Sequence, residues 1–247
     1  MKIALNIVII FFLLLSVQAQ EYATVIYKAK LLDAEFLKNN SSKNKEANEF
    51  VKNLLLESAD FLKQSNFELK IINNEANFSI VNSLAGSNEY VSKFAYAIIN
   101  ADGLIYTNLQ TKQVLHQMVA FDNPVILVST LDEQQWNYTN ETKEISGYTC
   151  FKAKLKDERS NITAWYSPKI TLPFGPAGYG GLPGLILELE VQNEFSPYIY
   201  YVTTINIKSD NKIEISKPNK GKLVTKEQLD EMGEKAKSSF YLCKGNN

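Results

Sequence analysis

The stretch from Gly175 to Glu190 constrains the fold of this chain more than any other, because a stiff turn leads directly into a strand. It reads Gly-Pro-Ala-Gly-Tyr-Gly-Gly-Leu-Pro-Gly-Leu-Ile-Leu-Glu-Leu-Glu. Pro183 presets φ to about −65°, and Gly184 supplies the positive φ that a type II turn needs. The alternation that follows predicts a strand with one buried face. That face carries Leu185, Leu187, Leu189 and Val191.

The glycines before this strand have two interpretations. They form either a structural corner or a binding loop whose backbone amides face a ligand. The candidate binding-loop residues are Phe174, Gly178, Tyr179, Gly180, Gly181, Leu182, Pro183 and Gly184. A nucleotide-binding loop is excluded, because the Lys-Ser/Thr ending of a P-loop is missing.

Three further segments accompany the hexapeptide Gly181-Leu-Pro-Gly-Leu-Ile186 in a fixed order. Trp136 comes first, followed by Glu141-Thr-Lys-Glu-Ile-Ser-Gly-Tyr-Thr-Cys-Phe-Lys-Ala153 and Ala164-Trp-Tyr-Ser-Pro-Lys-Ile170. Together these segments resemble the GLPGLI family of secreted or periplasmic proteins of Bacteroidota. The resemblance implies an exported protein without an established biochemical function.

The N-terminus predicts a secretory signal peptide over residues 1–19. An apolar run from Ile3 to Val17 follows Met1-Lys2, and Val17-Gln18-Ala19 is a small-x-small cleavage site. The run is too short for a comfortable transmembrane helix. We therefore expect residues 20–247 to form a single β-rich domain that is periplasmic or secreted and does not span a membrane after cleavage.

Charge and cysteine content limit the partners and the covalent structure. The formal net charge is −1 and no basic stripe occurs, so nucleic acid is not expected as a partner. In an oxidising compartment, Cys150 and Cys243 are candidates for a disulfide. The alternative interpretation is that Cys150 is a small core residue of a strand.

The remaining pattern predicts a mainly β fold of the α+β type. A helix is expected over Lys43–Gln64, and a second begins near Thr225, which opens a capping-box sequence. The sequence Gly86-Ser-Asn within Ser83–Ala101 favours a loop, and this loop would cover a binding face. About ten short strands predict one curled antiparallel sheet. We expect a half-barrel with a helix in its concavity, similar to bacterial lipoprotein carriers.

Residues with catalytic or metal-binding chemistry are sparse. His116 is the sole histidine, and it shares a strand face with Met118 as a conceivable copper pair. Glu188 and Glu190 share another face, where solvent-facing carboxylates are the simpler explanation. We therefore expect no enzymatic activity, no catalytic residues, no cofactor and no metal site.

Two non-enzymatic functions then remain. The first is binding of an apolar small molecule, a lipid or an acylated partner by the curled, aromatic-rich sheet. The second is an interaction module that docks an envelope protein through an exposed patch such as Phe174, Tyr179 and Leu182. A large apolar cavity favours the first, and a filled concavity with an exposed aromatic patch favours the second.

Overall fold

A computed structural model describes residues 22–32, 45–81, 88–156, 161–193, 196–207 and 213–244, apart from the side chains of residues 45–48 and 239–244. The predicted signal peptide lies outside the described residues. Within the described residues, no helix is long and apolar enough to cross a membrane.

The described chain is built around one curled, unclosed sheet of twelve strands, which confirms the predicted fold class. The strands are β1 Tyr22–Leu31, β2 Phe67–Ile72, β3 Glu75–Ile80, β4 Leu104–Asn108, β5 Gln113–Ala120, β6 Asn123–Thr130, β7 Trp136–Ile145, β8 Tyr148–Leu155, β9 Asn161–Ser167, β10 Leu185–Gln192, β11 Tyr198–Ile207 and β12 Lys222–Val224. Their spatial order is β12-β6-β5-β4-β3-β2-β1-β11-β10-β9-β8-β7. All neighbours are antiparallel except β12 and β6.

Three helices accompany the sheet in the described part of the chain. They are α1 Lys45–Gln64, α2 Glu89–Ile98 and α3 Lys226–Lys244. The expected capping box is present, because the Thr225 and Gln228 side chains each accept a bond from the other residue's backbone N–H. The loop expected over Ser83–Ala101 is wrong for α2, which begins after Asn88. The Asn88 side chain accepts a bond from the backbone N–H of Tyr90 and caps the helix.

One face of the sheet, here called the inner face, carries the main core. Residues directly opposite one another along the strands place Val25, Leu69, Phe78 and Ile105 on it. Helices α1 and α2 cover this face and bury Leu62 and Tyr96 in the same hydrophobic cluster. Near the start of α1, Phe50 and Val51 are exposed and lie outside that contact.

The opposite face, here called the outer face, has a smaller core of its own. Tyr106, Leu115 and Ile126 are buried there against Ile215. The Asn77 side chain fastens the chain at residue 216, because its amide donates to the Ser216 carbonyl and accepts from the Ser216 N–H. The described part of the segment before β12, residues 213–221, therefore lies across the outer face.

Candidate functional site on the inner face

The predicted binding loop lies on the inner face and is largely buried there. Segment Phe174–Gly184, here called the plug, runs next to β10, and its turn Pro176–Gly178 contacts β3, β4 and β5. Five of the eight predicted binding residues are buried: Phe174, Gly178, Gly180, Leu182 and Gly184. Tyr179 is half-buried, and only Gly181 and Pro183 are exposed. Phe174, at 1% exposed, is a core residue, so it offers no ring to a partner.

Two side chains from the segment before β7 hold the plug by its backbone. The Gln134 amide donates to the Gly178 carbonyl at 3.0 Å and accepts from the Gly180 N–H at 2.9 Å. The Trp136 indole N–H donates to the Gly180 carbonyl at 2.9 Å. Backbone groups that a binding loop would present to a ligand are thus used inside the protein.

Glycine is required at the end of the plug by close packing. Gly184 has φ 153°, and a Cβ there would lie 2.1 Å from the Ser167 carbonyl oxygen. Gly178 has φ 78°, and its Cβ would lie 2.9 Å from a Val114 methyl group. These contacts match the structural-corner interpretation of the sequence.

Cys150 is a buried thiol in β8. It is 0% exposed, and burial, followed by the charge of Glu144, raises the pKa of the Cys150 thiol to about 11. The side chain of Cys243 lies outside the described residues, so its pairing with Cys150 stays a prediction. The observed burial agrees with the interpretation of Cys150 as a small core residue.

The sole histidine contacts Asp102, in the loop that follows the C-terminal end of α2. The His116 Nε2 lies 2.6 Å from the Asp102 carbonyl oxygen and 3.6 Å from the Asp102 carboxylate. Burial raises the pKa of Asp102 above its ordinary value, and the nearby His116 opposes that shift. Tyr200 donates to the Ile99 carbonyl at 2.9 Å and fastens the same helix end. Within the described residues, no group of three or more His, Cys, Asp or Glu is placed to hold a metal ion.

The two glutamates of β10 lie on the outer face, where Glu188 forms an ion pair with Lys143 and Glu190 accepts a bond from the Gln192 side chain. Lys143 donates to the Glu188 carboxylate at 2.6 Å, and its ammonium lies 4.3 Å from the centre of the Trp165 ring. Lys152 lies 5.6 Å from the same ring and pairs with Glu141 at 2.8 Å. This packing makes Glu188 part of an ion-pair network instead of an acid/base couple with Glu190.

A group of aromatic side chains on the inner face of β7, β8 and β9 was not predicted as a site. It consists of Trp136, Tyr138, Phe151 and Tyr166, here called the platform. The Tyr138 and Tyr166 ring centres are 6.3 Å apart, and those of Phe151 and Tyr166 are 6.2 Å apart. These residues lie on three strands, and the pairing of those strands, which alternation within each strand does not reveal, places them on a common face.

Comparison with known proteins finds similarity to one family model and to solved structures. A family model described as "N-glycanase peptide, N-terminal domain" matches residues 57–233. Two solved structures of PNGF-II, in C2 and P21 space groups, are 16% and 17% identical to the chain, each with a TM-score of 0.49. In both comparisons 88% of this chain is covered, and the chain spans only 33% and 34% of the PNGF-II chains.

A third solved structure, described as an outer membrane lipoprotein-sorting protein domain from Vibrio parahaemolyticus, is 8% identical to the chain with a TM-score of 0.29. The matched region covers 79% of this chain and 87% of the chain in that structure. No curated protein is significantly similar to the chain.

These findings correct the assignment made from the motif. The GLPGLI resemblance is wrong, since the matching model is that of an N-glycanase domain. The expectation of a non-enzymatic protein is wrong for the same reason, as that model describes part of an enzyme. Both functions built on it, the apolar-ligand binder and the envelope interaction module, are likewise overturned. The hexapeptide Gly181–Ile186 encodes a tight corner and the accompanying segments encode strands, and such local patterns do not by themselves specify a family.

Proposed function

The chain belongs to the family of N-glycanase N-terminal domains, and on this premise we propose that it acts in the release of N-linked glycans by binding N-glycosylated peptides. The single observation that carries the proposal is the family match, which extends over most of the described sheet. The chain spans only a third of the PNGF-II length. The activity of a whole N-glycanase is therefore assigned to this chain as part of the same proposal.

Within such an activity, the inner face is best equipped to hold the substrate. Hydrolysis of an amide calls for an acid or base that reaches the substrate. Burial raises the pKa of Asp102, yet its partner His116 is 4% exposed and already contacts the Asp102 carbonyl. That pair fastens α2 to the sheet, whereas the platform meets solvent.

The test is a comparison of two peptides of identical sequence, one carrying a neutral oligosaccharide on Asn and one without it. Isothermal titration calorimetry is expected to show binding of the glycosylated peptide and none, or far weaker binding, of the bare peptide. Equal affinity for the two peptides, or binding of neither, would contradict the proposal. Mass spectrometry of the same mixtures reports whether the glycan stays attached to the peptide.

A further inference from the structure

The platform combines an exposed ring with close packing against neighbouring rings. Tyr138 is 60% exposed although it contacts the buried Tyr166. Phe151 and Trp136 are half-buried beside it. An aromatic side chain held by its neighbours contributes contact area to a ligand at little cost in conformational entropy.

The two rows of side chains that cross the platform are uncharged, and the nearest carboxylate on this face of β7, Glu144, accepts a bond from the Thr149 hydroxyl. Across the sheet, Tyr138 lies opposite Ala153, which lies opposite Ala164. The adjacent row runs from Thr142 through Phe151 to Tyr166. An ionic partner finds no counter-charge in these rows, and burying its charge there would be unfavourable. The charge pattern therefore fits a neutral ligand with apolar patches.

The outer face carries the opposite pattern. Trp165 is the comparable large ring there, and its neighbours are the ammonium groups of Lys143 and Lys152. Both lysines are also engaged by carboxylates. A neutral ligand would have to displace a bound cation from the Trp165 ring, which it does not have to do at Tyr138.

The position of the platform is fixed by the plug. Trp136 belongs to the platform and also donates its indole N–H to the plug at Gly180. Ile186, opposite Tyr166 across the sheet, donates its backbone N–H to the Phe174 carbonyl at 2.9 Å. The buried plug thus supports one border of the platform, so the rings are pre-organised before any ligand arrives.

From these observations we propose that the platform binds the neutral pyranose rings of an N-linked glycan, with Tyr138 as the principal contact. A pyranose ring presents a face of C–H groups that packs against an aromatic ring while its hydroxyl groups stay in water. This inference rests on the proposed function and adds to it the surface and the part of the substrate that are involved.

The experiment measures calorimetric affinity for the neutral N-glycopeptide with the wild type, Tyr138→Ala, Tyr138→Phe and Tyr90→Ala. Tyr90 is the matched control, because it is 58% exposed and lies on α2, away from the platform. We expect Tyr138→Ala to bind about tenfold more weakly or worse, as loss of a central aromatic contact does. Tyr138→Phe and Tyr90→Ala are expected to bind as the wild type does. Since the contact is uncharged, high salt is expected to leave the wild-type affinity unchanged.

A second variant guards against a folding defect in Tyr138→Ala. Thr142 is exposed and lies directly opposite Phe151. Thr142→Arg places a long side chain over the platform without removing any core residue, and the same loss of affinity is expected. Melting temperatures of all variants show which of them are folded.

The outcomes separate the two proposals. If the wild type distinguishes the glycosylated from the bare peptide while folded Tyr138→Ala and Thr142→Arg bind normally, the platform assignment is wrong and the proposed function stands. If the wild type does not distinguish the peptides, both are wrong. If affinity falls in both variants and stays in the two controls, the platform is the glycan contact.

Discussion

The plug and the platform are neighbours on one face of one sheet, and they differ in what their backbones and rings contact. Phe174 in the plug is 1% exposed, whereas Tyr138 on the platform is 60% exposed. The Gly178 and Gly180 backbones are bonded to the Gln134 side chain, whereas the platform rings contact one another and solvent. A glycine-rich loop with aromatic residues can therefore be core, and a plain strand segment can be the accessible surface.

The largest effect that tests this comparison is expected at the end of the plug. Gly184→Ala places a Cβ 2.1 Å from the Ser167 carbonyl oxygen in a backbone with φ 153°, so the chain must shift. We expect a loss of about 3 kcal/mol or more in the free energy of unfolding. Urea denaturation followed by circular dichroism measures it.

Gly181→Ala is the matched control for this experiment. Gly181 also has a positive φ, 78°, but nothing lies within 4 Å of its Cβ position. Its cost is limited to the left-handed backbone, about 1 kcal/mol. Equal losses in the two variants would mean that the plug end is not closely packed.

A smaller effect is expected where Gln134 holds the plug. Gln134→Ala leaves the Gly178 carbonyl and the Gly180 N–H without their side-chain partner. The expected loss is about 2 kcal/mol in the free energy of unfolding. The exposed neighbour Gln135 provides the control, and Gln135→Ala should change stability by less than about 0.5 kcal/mol. A Gln134→Ala protein as stable as the Gln135→Ala protein would show that the plug holds without this contact.

The closed part of the inner face also predicts a pH dependence at Asp102. Burial raises the pKa of Asp102 in the folded protein, so the folded state holds this proton more tightly than the unfolded chain does. The stabilisation is complete below the unfolded pKa and is lost as pH rises through the raised folded pKa. Asp102→Asn cannot titrate, and we expect it to gain stability relative to the wild type from acid toward neutral pH. Parallel urea titrations across that range check this, and identical pH profiles would contradict it.

The smallest effect on stability is expected on the platform. Tyr138→Ala removes a mostly exposed ring and one edge contact with Tyr166. The expected cost is below about 1 kcal/mol in the free energy of unfolding, in contrast to the loss of glycan affinity proposed above. A loss as large as that of Gly184→Ala would mean that Tyr138 is a structural residue like those of the plug.

Local sequence patterns predicted much of the sheet and less of the rest. The alternation after Gly184 identified β10, and the capping box at Thr225 identified α3, because both signals are contained in a few consecutive residues. Helix α2 was missed because Gly86-Ser-Asn reads as a loop, although Asn88 is the residue that caps the helix. The structure has twelve strands where the sequence predicted about ten, because a three-residue strand such as β12 carries almost no periodicity.

The candidate site was harder to predict than the fold, since it depends on pairings between distant strands. Tyr138 and Tyr166 become neighbours only once β7, β8 and β9 are aligned, and β7 has a register shift between Tyr138 and Thr142. No count along the sequence places them together across such a bulge. The burial of Phe174 likewise follows from how the plug crosses the inner face, which its composition does not reveal.

Chemical-shift mapping on the wild-type protein tests the central claim most directly, that the open part of the inner face receives the N-glycosylated peptide while the plug does not. The indole N–H of Trp136 and the rings of Tyr138 and Phe151 report on the platform, and the ring of Phe174 reports on the plug. Titration with the neutral N-glycopeptide is predicted to shift the platform signals in a saturable manner and to leave Phe174 unchanged, with no such shifts from the bare peptide. Saturable shifts confined to Phe174 or to Trp165 on the outer face, or no glycan-dependent shifts at all, would contradict it.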